Sequence, residues 1–100
     1  MALKNPETNE YLKVISMQFD FQASNHHISF FIFANQEQRQ RFDAGLSEYE
    51  IYKHSLYNGI GHIEAALAVL PANVETAKDA MFNACYNALK SDMFNGWEDC

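Results

Sequence analysis

Two apolar segments joined by a short polar turn constrain this chain more than any other feature. In the first, Tyr11 to Gln22, the residues Ile15, Met17, Phe19 and Phe21 alternate with Ser16, Gln18 and Asp20. That period of two is the pattern of a half-buried strand. The second, His27 to Ala34, contains Ile28-Ser29-Phe30-Phe31-Ile32-Phe33 and is apolar at nearly every position. The link from Ala23 to His26 is short enough for a hairpin, and Asn25 is the residue expected to take a positive φ. A hairpin so composed carries more apolar surface than one small core requires.

The strongest helical pattern runs from Val74 to Lys90. At about 100° per residue, Val74, Ala77, Met81, Ala84, Cys85, Ala88 and Leu89 form the centre of an apolar face, and Phe82 and Tyr86 widen one flank. The arc spans about 200°, twice the roughly 100° stripe of an ordinary surface helix. Such a helix needs two neighbours: the hairpin, and either a second helix or another subunit. Glu75 and Asp79 near its start and Lys90 near its end suit the macrodipole, and the Lys78 stem can pack while its amine reaches water. At about 1.5 Å per residue the helix is about 25 Å long, close to the length of the second strand at about 3.3 Å per residue.

The remaining segments are read around these two. Asn5 to Glu10 is polar, with Pro6 holding Asn5 extended, and is expected to be an arm entering the first strand. Gln36 to Arg41 is a run of polar helix formers with only Phe42 to bury, so a helical turn or two is expected before Gly45. From Ser47 to Tyr57, tyrosine and isoleucine favour a third strand stopped by Asn58-Gly59. A helix is the competing reading, because Tyr49, Tyr52 and Leu56 also fit helical spacing. Ile60, Ile63, Leu67 and Leu70 mark a short helix ended by Pro71, and Asn73 is placed to cap the long one. The expected fold is α+β, a three-stranded antiparallel sheet with the long helix and the short preceding one on one face. The chain, 100 residues, is expected to be a single domain, with residues 1–10 an arm and 91–100 a tail.

Composition excludes several classes of function. A chain of this length can bury about two-thirds of its unfolded surface without metal or disulfide staples. With 48% apolar and 20% charged residues it falls among globular proteins. No run approaches the roughly 20 apolar residues of a membrane span, and the first residues lack a secretory pattern; no membrane partner is expected. The net charge of −6 and the scatter of Lys4, Lys13, Arg39, Arg41, Lys53, Lys78 and Lys90 argue against a nucleic-acid partner, which calls for clustered positive charge. Cys85 reads as a small core residue and Cys100 as a free thiol, consistent with an intracellular setting.

The chain offers little chemistry. His26-His27 is the most metal-like feature, but adjacent strand residues point to opposite faces and no Cys or carboxylate completes a ligand set. A solvated turn is the expectation there. His54 and His62 are isolated. Gly59-Ile60-Gly61 before a helix faintly suggests an anion-binding turn, yet lacks the lysine of a phosphate loop and reads as a strand-to-helix break. Glu48 and Glu50 read as one solvated face. No nucleophile motif surrounds Ser47 or Ser55. No catalytic residue, metal site or cofactor is expected, and the chain is read as non-enzymatic.

The aromatic residues say more. If the long helix covers Ile28, Phe30 and Ile32, then Phe31 and Phe33 face away from it, and each ring left in water forgoes roughly 1.5–3 kcal/mol. Either other parts of the chain wrap around to that side, or a partner does. Phe31, Phe33, Tyr49, Tyr52 and Trp97 are the candidate interface, since Tyr and Trp are enriched where proteins meet.

The two ends carry a resemblance. Ala2-Leu3-Lys4-Asn5-Pro6-Glu7-Thr8-Asn9-Glu10-Tyr11-Leu12-Lys13-Val14 resembles the opening of short proteins encoded in the structural gene clusters of phages and prophages, chiefly of Gram-positive bacteria. Those proteins tend to close with a helix containing an alanine-tyrosine/alanine-leucine phrase, then a Phe, an aromatic or small residue and an acidic end. Ala84-Cys85-Tyr86-Asn87-Ala88-Leu89-Lys90 and Phe94-Asn95-Gly96-Trp97-Glu98-Asp99 are similar in style; Gln36 to Leu70 has no counterpart. The resemblance implies a small virion or assembly protein of the tail or baseplate region, found in the host cytoplasm or incorporated into the virion. It implies no catalytic residues. The expectation is therefore a homo-oligomer, associating through the second sheet face or the tail, with other phage structural proteins as further partners. The alternative is a small acidic inhibitor or adaptor that binds a host protein.

Overall fold

The computed structural model describes residues 2–69 and 77–100. In chain order the elements are β1 (Leu3–Lys4), β2 (Tyr11–Asp20), β3 (Asn25–Phe33), α1 (Gln36–Asp43), β4 (Lys53–Tyr57), α2 (Ile60–Leu67), α3 (Ala77–Ser91) and β5 (Glu98–Asp99). The fold is α+β, as the sequence indicates, but the sheet has five strands in the order β4-β3-β2-β1-β5, all antiparallel, where three were expected. The two additional strands come from the segments read as arm and tail. Leu3 and Lys4 pair with Leu12 and Tyr11 on one side and with Asp99 and Glu98 on the other. Ala2 and Leu3 are fully buried. Strands of two residues are too short to show a period, so no alternation could reveal them.

The polar stretch after β1 is a closed turn. Asn5 N–H bonds the Glu10 carbonyl and Asn9 N–H bonds the Asn5 carbonyl, both at 2.9 Å. The Asn5 side chain accepts from Glu7 N–H at 3.0 Å, and Asn9 takes φ +63°, a conformation asparagine tolerates. On the other edge, Cys100 N–H reaches the Ala2 carbonyl at 3.1 Å and Lys90 bonds Asp99 at 2.9 Å.

The hairpin differs from expectation in its turn. The strands extend to Asp20 and Asn25, and Ser24, not Asn25, takes the positive φ at +48°. The more consequential departure lies inside β2. Leu12 and Val14 are out of phase with Ile15, Met17 and Phe19, and the register shifts between Val14 and Ser16 to accommodate both sets. An extra residue in one strand inverts the facing of all that follow. Leu12 and Val14, and beyond the bulge Met17 and Phe19, all pack into one core, with Ile15 absorbing the offset.

That core lies between the sheet and the pair α2 and α3. Leu3, Leu12, Val14, Ile28, Phe30, Ile32 and Tyr57 from the sheet side meet Ile63, Cys85, Ala88, Leu89 and Phe94. Among the described residues of its apolar arc, α3 buries Ala84, Cys85, Tyr86, Ala88 and Leu89 and half-buries Met81 and Phe82 by packing on both β2 and α2. α2 starts at Ile60 as the spacing indicates but ends at Leu67, with Ala68 as its C-cap, short of the expected Leu70; Pro71, the Asn73 cap and the first turn containing Val74 and Glu75 lie outside the described residues. Tyr86, on the flank of the arc, is buried and its hydroxyl accepts the Val14 N–H at 2.9 Å. This backbone donor points out of the β2–β3 ladder just before the bulge, where β1 has already ended.

Two predictions follow from this packing. Tyr86→Phe keeps the ring but leaves the buried Val14 N–H without its acceptor, and is expected to cost about 1–3 kcal/mol in urea unfolding, with an unchanged m-value. Burial also pushes the Tyr86 hydroxyl from an ordinary 10.0 up to about 12 and the Cys85 thiol from 9.0 up to about 12. Both groups keep their protons in the folded state at pH values where the unfolded chain has lost them. Their contribution is complete below about pH 9 and declines as pH rises toward 12. The urea midpoint should fall across that window, and iodoacetamide at mildly alkaline pH should label exposed Cys100 while sparing Cys85 until the chain unfolds.

Candidate interaction surface

The second face of the hairpin, left open by α2 and α3, is covered by the segment following β3. Asn35 begins α1 by accepting the Gln38 N–H at 3.1 Å, the expected role of an N-cap side chain. The one apolar side chain available, Phe42, then sits over Phe33 and Phe31, with ring centroids at 5.4 and 5.8 Å. Tyr49, from the loop after α1, stands edge-on to Phe42 at 5.3 Å and reaches Phe33 at 6.2 Å. Phe33 is 0% exposed as a result. The polar run Gln36 to Arg41 does more than face water. Gln38 accepts Glu50 N–H at 2.7 Å, Arg41 donates to the Glu48 carbonyl at 3.3 Å and pairs with Glu37 at 3.0 Å. Those contacts hold the loop against the helix.

Charged groups seal the same layer. Asp43 lies 3.0 Å from Lys13 and 3.0 Å from Arg39 Nε; the latter contact is an ion pair lacking hydrogen-bond alignment. The Arg39 guanidinium lies over the Tyr11 ring at 5.5 Å, a cation–π arrangement.

The five candidate interface residues therefore separate. Phe31, Phe33 and Tyr49 come together, but in a small second core made by the chain itself. Trp97 packs on Phe94 at 5.0 Å, at the margin of the main core on the other side. Tyr52 alone is strongly exposed, at 68%. Two apolar residues not among the five join it: Leu56 at 64% and Ile51 at 38%. All three lie on or beside β4, the outermost strand at its edge. No acidic residue occurs between Glu50 and Glu64, despite the chain's net charge of −6. Along β4, His54 and Leu56 share the α1 side of the sheet with Phe31 and Ser29, while Lys53, Ser55 and Tyr57 share the other. His54 is held by Ser29 Oγ at 2.9 Å and by the Phe31 ring at 4.9 Å.

A Ser, a His and an Asp do meet elsewhere, where α2, β4 and the end of α3 converge. His62 Nδ1 lies 3.0 Å from Ser91 Oγ, and its Nε2 lies 3.8 Å from Asp92 Oδ2. The Ser91 hydroxyl donates to the Ala88 carbonyl at 2.8 Å, so it receives the His62 Nδ1–H rather than giving up its own proton. A nucleophile needs the reverse relation. Asp92 accepts the Tyr57 hydroxyl at 2.8 Å. Burial, that hydrogen bond and the carboxylate's charge push the Tyr57 hydroxyl well above its ordinary value. The arrangement clamps three elements together. Gly59 serves the same junction, since a Cβ there would run into the Tyr57 ring and hydroxyl.

His26 corrects the expectation of a solvated turn: it is fully buried. Its Nδ1 accepts Asp20 N–H at 3.2 Å and its Nε2 faces Glu64 Oε1 at 3.1 Å, which assigns the proton to Nε2. Phe19 and Phe21 flank the ring at 5.6 and 5.1 Å. Among the described residues, no group of three His, Cys, Asp or Glu side chains is placed to hold a metal ion, and no helix is long and apolar enough to cross a membrane. A cleft of about 250 Å³ between β2 and α3 is lined by Lys13, Val14, Lys78, Asp79, Phe82 and Tyr86; the Tyr86 hydroxyl there is committed to Val14 and Lys13 to Asp43.

No protein-family model, curated protein or solved structure matches the chain.

The separation of the aromatic residues predicts opposite outcomes for two charge insertions. Phe33→Asp places a carboxylate in a closed apolar layer and should unfold the chain or cost more than about 3 kcal/mol. Tyr52→Glu should leave the far-ultraviolet circular dichroism unchanged and move the urea midpoint by less than about 0.5 kcal/mol equivalent.

Proposed function

We propose that this protein is a non-enzymatic phage or prophage structural or assembly protein that self-associates, with the β4 edge as its contact surface. The observation that carries the reading is the exposure of Leu56 on the edge strand β4 and of Ile51 and Tyr52 just before it. Side chains of this size forgo roughly 1.5–3 kcal/mol each when left in water, and an edge strand offers unpaired backbone groups beside them. The absence of carboxylates from Ile51 to Ile63 favours contact there, because the net charge of −6 makes most other surfaces repel a second copy. The resemblance of the two chain ends to small proteins of phage structural clusters supports the assembly role and, within it, the tail or baseplate region. Such a protein would act in the host cytoplasm or within the virion.

Sedimentation equilibrium up to high micromolar concentration tests the association directly. A concentration-dependent dimer or larger species is expected, weakened by Tyr52→Glu and by Leu56→Glu. A strict monomer throughout would overturn it, and a tight equimolar complex with a purified host enzyme would favour the acidic inhibitor or adaptor instead.

A further inference from the structure

The backbone of β4 specifies how two copies would meet. Val14 N–H leaves the β2–β3 ladder to reach Tyr86, so Val14 and its opposite residue Phe30 form a pair that exchanges no hydrogen bonds. The amide and carbonyl of Phe30 are thus directed at β4, and by alternation so are those of Ile28 and Ile32. An independent contact agrees: the Ile32 carbonyl accepts Tyr52 N–H at 2.9 Å. Their partners Tyr57, Ser55 and Lys53 face inward. His54 and Leu56 therefore turn their N–H and C=O groups outward, away from β3.

We infer that two copies of this chain pair β4 to β4 in antiparallel fashion about a two-fold axis through Ser55, joining their sheets into one. The inference rests on the self-association proposed above and adds its geometry. In this register His54 lies opposite Leu56 of the second copy, twice over, and the outward backbone groups of both residues are used in four hydrogen bonds. Side chains agree with the same register. Leu56, 64% exposed in the single chain, is covered by the opposing imidazole on the α1 side of the sheet. Ser55 meets its own copy on the other side.

Charge is complementary as well. Lys53, which has no ion-pair partner among the described residues, stands opposite Tyr57 of the second copy. It lies on the side where the Asp92 carboxylate holds that ring's hydroxyl. The two Lys53 ammonium groups are kept apart by the length of the strand. A pairing through five-residue strands is smaller than the roughly 1,200–2,000 Å² of a stable interface, so the dimer is weak, with dissociation in the micromolar range.

Cysteine cross-linking in a Cys100→Ser background reads the axis. Residues opposite one another in such a pair have Cα atoms about 4.5 Å apart, within the range a disulfide bridges. Ser55→Cys should form a covalent dimer on mild oxidation, whereas Lys53→Cys, about 13 Å from its counterpart at about 3.3 Å per residue, should not. Leu56→Pro removes an outward donor and no bond to β3; it should weaken the dimer at least tenfold and leave the circular dichroism unchanged. Equal cross-linking at both positions, or none at Ser55→Cys in a chain that still dimerises, overturns the pairing while self-association stands. A parent chain that stays monomeric at every concentration overturns both.

Discussion

The fold depends on a phase break in β2. Leu12 and Val14 cannot share a face with Met17 and Phe19 in an unbroken strand, yet all four belong to one core. A bulge at Ile15 resolves the conflict and leaves the Val14 N–H outside the ladder. The Tyr86 hydroxyl supplies the missing acceptor. Apolar contact is non-directional and would let a helix slide along the sheet; this bond fixes where α3 sits. Cys85, Ala88 and Leu89 then join Ile28 and Phe30 in the core, and the chain beyond α3 is delivered to the β1 edge.

A hairpin apolar on both faces must be covered on both. The main face receives two helices. The other receives very little apolar material: Phe42 from α1 and Tyr49 from the following loop. What secures so thin a cover is its polar frame, with Asn35 at the start of α1, Gln38 and Arg41 gripping the loop, and Asp43 bridging to Lys13. The cover stops short of β4, where Ile51, Tyr52 and Leu56 stay exposed; Phe21, Leu46, Val69 and Met93 are exposed elsewhere on the surface. The surface proposed for association thus follows from where the second core ends.

Polar side chains inside this protein serve junctions. His26 joins the hairpin end to α2 through Glu64. Tyr57 and His62 join β4 and α2 to the end of α3 through Asp92 and Ser91. For His26 and Ser91 the proton positions follow from the backbone partners Asp20 N–H and Ala88 C=O.

The hairpin, the long helix, the short helix before it and the α+β class were all legible in the sequence, because periods of two and 3.6 persist long enough there to be read. The apolar excess of the second strand also showed that Phe31 and Phe33 needed a cover. Which groups supply it was decided only by tertiary structure: a single phenylalanine in a polar helix carries no periodic signal, and its packing depends on a tether from Gln38 and Arg41 to the loop that follows. The strand at Leu3–Lys4 exists because β2 offers an edge, and that at Glu98–Asp99 because β1 then offers another, not because of any pattern of their own. The second face of the hairpin is covered from within the chain, over Phe33 fully and over Phe31 in part, and the strand beside it keeps an open edge.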